Sequence, residues 1–152
     1  MLATGSTRTA TRCSSSEGMR LPRASGVLAM LLLAAACVTT TTRAFTPDAN
    51  AERMSLADAQ DNLDRLVRME CPRLMEAKHD TDDARISVDV DGSGNVQRAT
   101  MSKVTGDERM DRIFGGVAAQ MKFAAAPDGA PFTGRMRVGY SCSAASSTAT
   151  IQ

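Results

Sequence analysis

Few residues in this chain are of a type and spacing that could do chemistry. Asp89-Val90-Asp91-Gly92-Ser93-Gly94-Asn95-Val96 places oxygen donors at loop positions 1, 3 and 5, a glycine at 6 and an apolar residue at 8. That is how a helix–loop–helix calcium loop begins. The match stops at position 12, which is Thr100 where a bidentate glutamate is needed, and the flanks alternate like strands. Three donors without that carboxylate make a weak calcium site, so the segment reads as turn chemistry in a hairpin and no metal ligand is assigned. His79, the single histidine, stands beside Asp80 in the acidic loop His79 to Asp83, where a solvated residue is the simpler reading than a ligand. The sequence shows no Ser-His-Asp set, metal cluster or phosphate-cradling glycine loop, and its paired carboxylates fall on polar segments. No catalytic residue, no cofactor and no enzymatic activity are therefore expected.

Cysteines and arginines remain. Of the four cysteines, Cys13 and Cys37 lie in or beside an N-terminal leader, which leaves Cys71 and Cys142 as an even pair in a chain that looks exported. They could meet if the last strand lies beside the first, closing a loop worth roughly 4 kcal/mol in the chain-entropy treatment. The alternative, a reactive thiol, lacks a CxxC spacing and a neighbouring histidine. Arg135 and Arg137 alternate with Met136, Val138 and Tyr140, so the arginines and Ser141 are expected to point away from the core.

The elements that position these residues follow from hydrophobic patterning. Ile86, Val88 and Val90 alternate with Ser87 and Asp89, and Ala99 and Met101 continue the pattern after the Asp91 to Asn95 turn. Val96 is out of phase with them, so a bulge or late strand start is expected near Gln97. Ser55 is a fair N-cap for a helix with the stripe Leu56, Ala59, Leu63, Leu66 and Val67. That helix is expected to stop near Glu70, because Pro72 disfavours helical geometry at Cys71, and a second short helix to run from Pro72 to Lys78 with Leu74 and Met75 inward. Asp107 caps a helix reaching about Lys122, with Met110, Ile113, Phe114, Val117 and Met121 at helical spacing. Gly115-Gly116 inside it suggest close approach to the sheet. A third strand is expected from about Gly134 to Cys142, and the tail Ser143 to Gln152 is expected to be disordered.

The leader sets the expected location. Gly26 to Val38, about 13 residues long, has the length of a signal-peptide apolar core and is too short to span a bilayer. Arg20 and Arg23 precede it, Ala34-Ala35-Ala36 near its end supply the small residues a signal peptidase needs, and Met19 would be a compact start. Cys37 after the alanines resembles the lipobox of bacterial lipoproteins, with Ala34 where leucine is usual, so Cys37 is the expected lipidation residue. Ordinary cleavage after Ala44 is the alternative. Residues 1–36 are thus read as leader, 37–54 as a polar tether, 55–142 as the domain and 143–152 as tail. Without the leader's four arginines and one glutamate, 14 basic residues face 16 acidic ones, and the chain holds one Tyr, four Phe and no Trp. Such a surface lacks the basic, aromatic character that nucleic acid binding uses.

The segment Cys71 to Cys142 resembles the TonB C-terminal domain family. The resemblance rests on Cys71-Pro72, Ile86 to Val90, Asp91-Gly92 with Gly94-Asn95-Val96, Thr105-Gly106, Met110-Asp111, Phe123 with Pro127, Gly129-Ala130-Pro131 and Arg135 to Tyr140, in order and spacing. Cys71 replaces the family's usual aromatic before the proline. The resemblance implies an α+β domain, a three-stranded antiparallel sheet with helices packed on one face. It also implies partner binding by strand addition to the edge Gly134 to Ser141, with Arg135, Arg137 and Ser141 outward. The energy-transducing members' transmembrane helix and Pro-rich spacer have no counterpart here. The expectation is a non-enzymatic periplasmic protein, anchored to the outer membrane if Cys37 is acylated, that binds an envelope protein or peptide. Its alternatives are a structural or self-associating lipoprotein, including a homodimer, and an accessory component of TonB-type transport.

Overall fold

The computed structural model describes residues 6–10 and 40–152. In chain order these form β1 (Ser6–Ala10), β2 (Thr40–Phe45), α1 (Leu56–Glu76), β3 (Thr81–Val90), β4 (Val96–Lys103), α2 (Glu108–Gln120), β5 (Phe132–Cys142) and β6 (Ser147–Ile151). All neighbouring strands are antiparallel, in the order β1-β2-β4-β3-β5-β6. The fold is α+β with both helices on one face, as expected, but the sheet is wider. The three expected strands are its centre; β2 and β6 extend it to five from Thr40 onward, and β1 lies outside β2.

The centre forms for the reasons the pattern gave. Ala84, Ile86, Val88 and Val90 of β3, Ala99 and Met101 of β4, and Met136, Val138 and Tyr140 of β5 are all buried, and the helices cover them with Leu63, Val67, Leu74, Met110, Phe114 and Val117. The hairpin register shifts so that Val90 faces Val96 and Asp89 faces Arg98, leaving Gln97 as the extra residue of a bulge. This is how both Val96 and Ala99 reach the core. A second shift leaves Ser102 unpaired between Met101 and Lys103. In the turn, Asp91 Oδ1 accepts the N–H groups of Ser93 (2.9 Å) and Asn95 (3.0 Å), and Oδ2 accepts Gln97 Nε2 (2.7 Å). Gly94 has φ of +87°, and a Cβ there would overlap the Phe123 carbonyl, so glycine is required.

Four expectations are corrected. First, the helix does not stop before Pro72. α1 runs through it, with Ser55 and Asp58 forming a reciprocal N-terminal cap. An interior proline costs about 3 kcal/mol of helix propensity. The turn containing Pro72 is nonetheless held from three sides. Leu74 is fully buried, Cys71 is bonded to Cys142, and Arg73 donates to Asp107 through Nη1 (2.7 Å) and Nη2 (3.0 Å) and to Glu70 through Nε (3.0 Å). Met75, expected inward, is 37% exposed.

Second, the stretch read as tether joins the fold. Phe45 is buried against α2, Arg43 pairs with Asp111 (3.4 Å) and Glu108 (3.5 Å), and Arg53 Nη1 donates to the carbonyls of Val96 and Ala119. Third, the tail read as disordered is β6. Its inner edge pairs with β5, and α1 covers its outer edge. Ala149 N–H donates to Asp64 Oδ1 (2.7 Å), Ile151 N–H to Gln60 Oε1 (3.1 Å), and Gln60 Nε2 to the Ala149 carbonyl (2.7 Å). Two polar side chains of a helix thus satisfy main-chain groups that an edge strand would leave bare. Fourth, the sheet is not three-stranded, because these two segments bury Phe45 and Ala149 beside the central strands. The leader's apolar run and Cys37 lie outside the described residues.

Candidate functional site

The Cys71–Cys142 disulfide is formed, with Cα atoms 5.5 Å apart and both residues buried. It ties the last turns of α1 to the end of β5, next to the loop that leads into β6. Tyr140 lies nearby, its ring tilted on Phe114 and its hydroxyl donating to the His79 carbonyl at 2.8 Å. Burial pushes that hydroxyl's pKa up to about 12, so it remains a proton donor in the neutral range. His79 itself is exposed. Among the described residues no three His, Cys, Asp or Glu side chains converge, and no helix is long and apolar enough to cross a membrane.

The edge expected to be open from Gly134 to Ser141 is open only in part. β6 pairs with Val138 to Cys142, and Gln152 exchanges main-chain hydrogen bonds with Arg137 (2.8 and 2.9 Å). Ser141 is therefore an interior position, opposite Thr148 on one side and Thr81 on the other. Chain direction alternates main-chain groups between the two sides of a strand. Since Arg137 faces β6, Arg135 and Thr133 face the same side. Among the described residues no strand lies there. The part of β5 left unpaired on that side, among the described residues, is Phe132 to Met136.

The face of the sheet away from the helices brings charge to this stretch. On it, Arg85 lies directly opposite Arg137, Ser87 opposite Arg135, and Asp89 opposite Thr133. Because Arg137 spends its main-chain bonds on Gln152, the Arg85–Arg137 pair is of the non-hydrogen-bonded kind, in which side chains stand closer. Asp83 accepts from Lys103 Nζ (2.6 Å) and Arg137 Nε (3.1 Å), and these two cations hold its carboxyl below the usual value. Asp89 accepts from Thr133 Oγ1 (3.1 Å). Arg85 and Arg135 have no ion-pair partner among the described residues. Arg85, Ser87, Ser102, Arg135 and Arg137 line a shallow depression of about 490 Å³. Like charges set directly across a sheet cost stability, and the core gains nothing from these exposed side chains.

Arg135 and Arg137 were legible as an outward pair. Arg85 was not joined to them, although its parity with Ser87 and Asp89 already placed it off the apolar face; only the β3–β5 register sets it opposite Arg137. No family model, curated protein or solved structure matches this chain.

Proposed function

We propose that this protein is a non-enzymatic cell-envelope module that binds an extended peptide or protein segment by strand addition along Phe132 to Met136. In this reading it is related to the TonB C-terminal domain, is exported by its N-terminal leader, and is held at the periplasmic side of the outer membrane through an acylated Cys37. The observation that carries the reading is the direction of the Thr133 and Arg135 main-chain groups, which point away from β3 beside the end of β6. Such groups supply affinity to an added strand, and flanking side chains supply selectivity. From β3 to β5 the element order is the family's hairpin, helix and strand, while the family's separate short helix after the proline is replaced by α1, which runs on through Pro72.

A second copy of the chain is the rival occupant. Two such stretches pairing about Gly134 would set Arg135 opposite Thr133 of the partner, with no like charges directly opposed. A photo-cross-linking residue at Thr133 or Arg135 in cells decides between them, with one at Asp61, an exposed position on α1, as control. Adducts to another envelope polypeptide from Thr133 and Arg135 only are expected. Adducts to itself would establish self-association, and none at either position would refute the proposed edge.

A further inference from the structure

We infer that the added segment carries an acidic side chain at one fixed position, and that Arg135 and Arg85 receive its carboxylate in the depression beside β5. This rests on strand addition along Phe132 to Met136 and specifies its ligand. A segment pairing with β5 antiparallel and in line with β6 places one residue directly opposite Arg135, about 5.5 Å away at Cα in a hydrogen-bonded pair. That residue's side chain shares the face of Arg135, Arg137 and Arg85. Arg85 lies one strand further, within reach of a long side chain, and it lines the same depression. The carboxylates already present, Asp83 and Asp89, are engaged by Lys103, Arg137 and Thr133. Two guanidinium groups are left to pair with an incoming anion, and arginine binds carboxylate with a matched fork of donors.

The opposite face of the added strand meets different chemistry. The ligand residue beside the acid falls over Gly134, which presents no side chain and lies near Val88, between Phe132 and Met136. With Val88, Phe132 and Met136 as its neighbours, that ligand residue is apolar. The ligand is thus an extended peptide with a carboxylate opposite Arg135 and an apolar neighbour, rather than an anionic membrane surface, which would need no main-chain pairing.

Selection of random linear peptides on the immobilised protein tests this, followed by affinity measurement with the selected peptides at low salt. Selected peptides are expected to share Asp or Glu at one position next to an apolar residue. Their Glu→Gln forms should bind at least tenfold more weakly, and Arg85→Gln with Arg135→Gln should abolish that difference while the folded-state circular dichroism is kept. Thr133→Pro removes one main-chain donor from the open edge and separates the two layers of the reading. Peptides that lose affinity with Thr133→Pro but show no acid preference would overturn the arginine assignment and leave strand addition standing. Acidic peptides that bind Thr133→Pro unchanged would overturn strand addition, and with it the placement opposite Arg135. Binding to anionic phospholipid vesicles in an Arg85- and Arg135-dependent way, with no peptide selected, would overturn both.

Discussion

Substituting Gly115 and Gly116 in turn tests whether β2 belongs to the fold. Both lie inside α2, and alanine at either would gain about 1 kcal/mol of helix propensity. Their surroundings differ. A Cβ at Gly116 meets nothing within 4 Å, so Gly116→Ala should stabilise by about 1 kcal/mol. A Cβ at Gly115 would overlap the Phe45 ring, with Cζ at 2.5 Å. Phe45 is 5% exposed, so its ring cannot move without losing burial. Overpacking of this kind costs about 1–3 kcal/mol, and full expulsion of a phenylalanine about 3–5. After the propensity gain, Gly115→Ala should destabilise by about 0–2 kcal/mol if the ring shifts in place and by about 2–4 kcal/mol if it is expelled. Urea unfolding at constant slope, under non-reducing conditions, measures both variants. Phe45→Leu combined with Gly115→Ala should recover part of the loss, because the two residues share one space. If Gly115→Ala stabilises as much as Gly116→Ala, Phe45 does not pack on α2 and residues 40–45 are the tether that the composition suggested.

Three further outcomes follow from the carboxylates Asp107 and Asp111 and from the disulfide. Arg73 holds the Asp107 carboxyl at about 2 against an ordinary 3.8, so its stabilisation is complete above about pH 4 and is lost as pH falls toward 2. Arg73 is 39% exposed, which screens the pair, so the loss should be about 1–2 kcal/mol. Arg73→Met should remove that part of the acid slope in unfolding monitored across this range. Asp111 acts with the opposite sign. Burial raises its pKa, so its contribution is present below the ordinary carboxylate value and is lost as pH rises. Breaking the disulfide by Cys71→Ser with Cys142→Ser releases a loop with a sequence separation of 71 and should cost roughly 4 kcal/mol in equilibrium unfolding. A loss below about 1 kcal/mol would mean that packing of Leu74 and Tyr140 alone holds α1 to β5.

The sequence by itself determined every element whose periodicity is strong. Ala59, Leu63 and Val67 of the α1 stripe, the alternation in β3 and β5, the caps Ser55 and Asp107, the Asp91 turn and the bulge at Gln97 all follow from local chemistry, whereas Leu56, expected in that stripe, is 54% exposed at the first turn. The even cysteine pair pointed to the bridge without excluding a free thiol. Only the tertiary structure decided the rest. Thr40–Phe45 and Ser147–Ile151 are short, polar and rich in Thr and Ser, so nothing local separates them from linker. They become strands because Phe45 finds Gly115, and because Gln60 and Asp64 satisfy the outer edge of β6. Pro72 stays helical because contacts distant in sequence offset a local cost. The meeting of Arg85 with Arg137 is a matter of cross-strand register. Patterning fixes which face a side chain takes, but its neighbour on that face is set by how two strands far apart in the chain align.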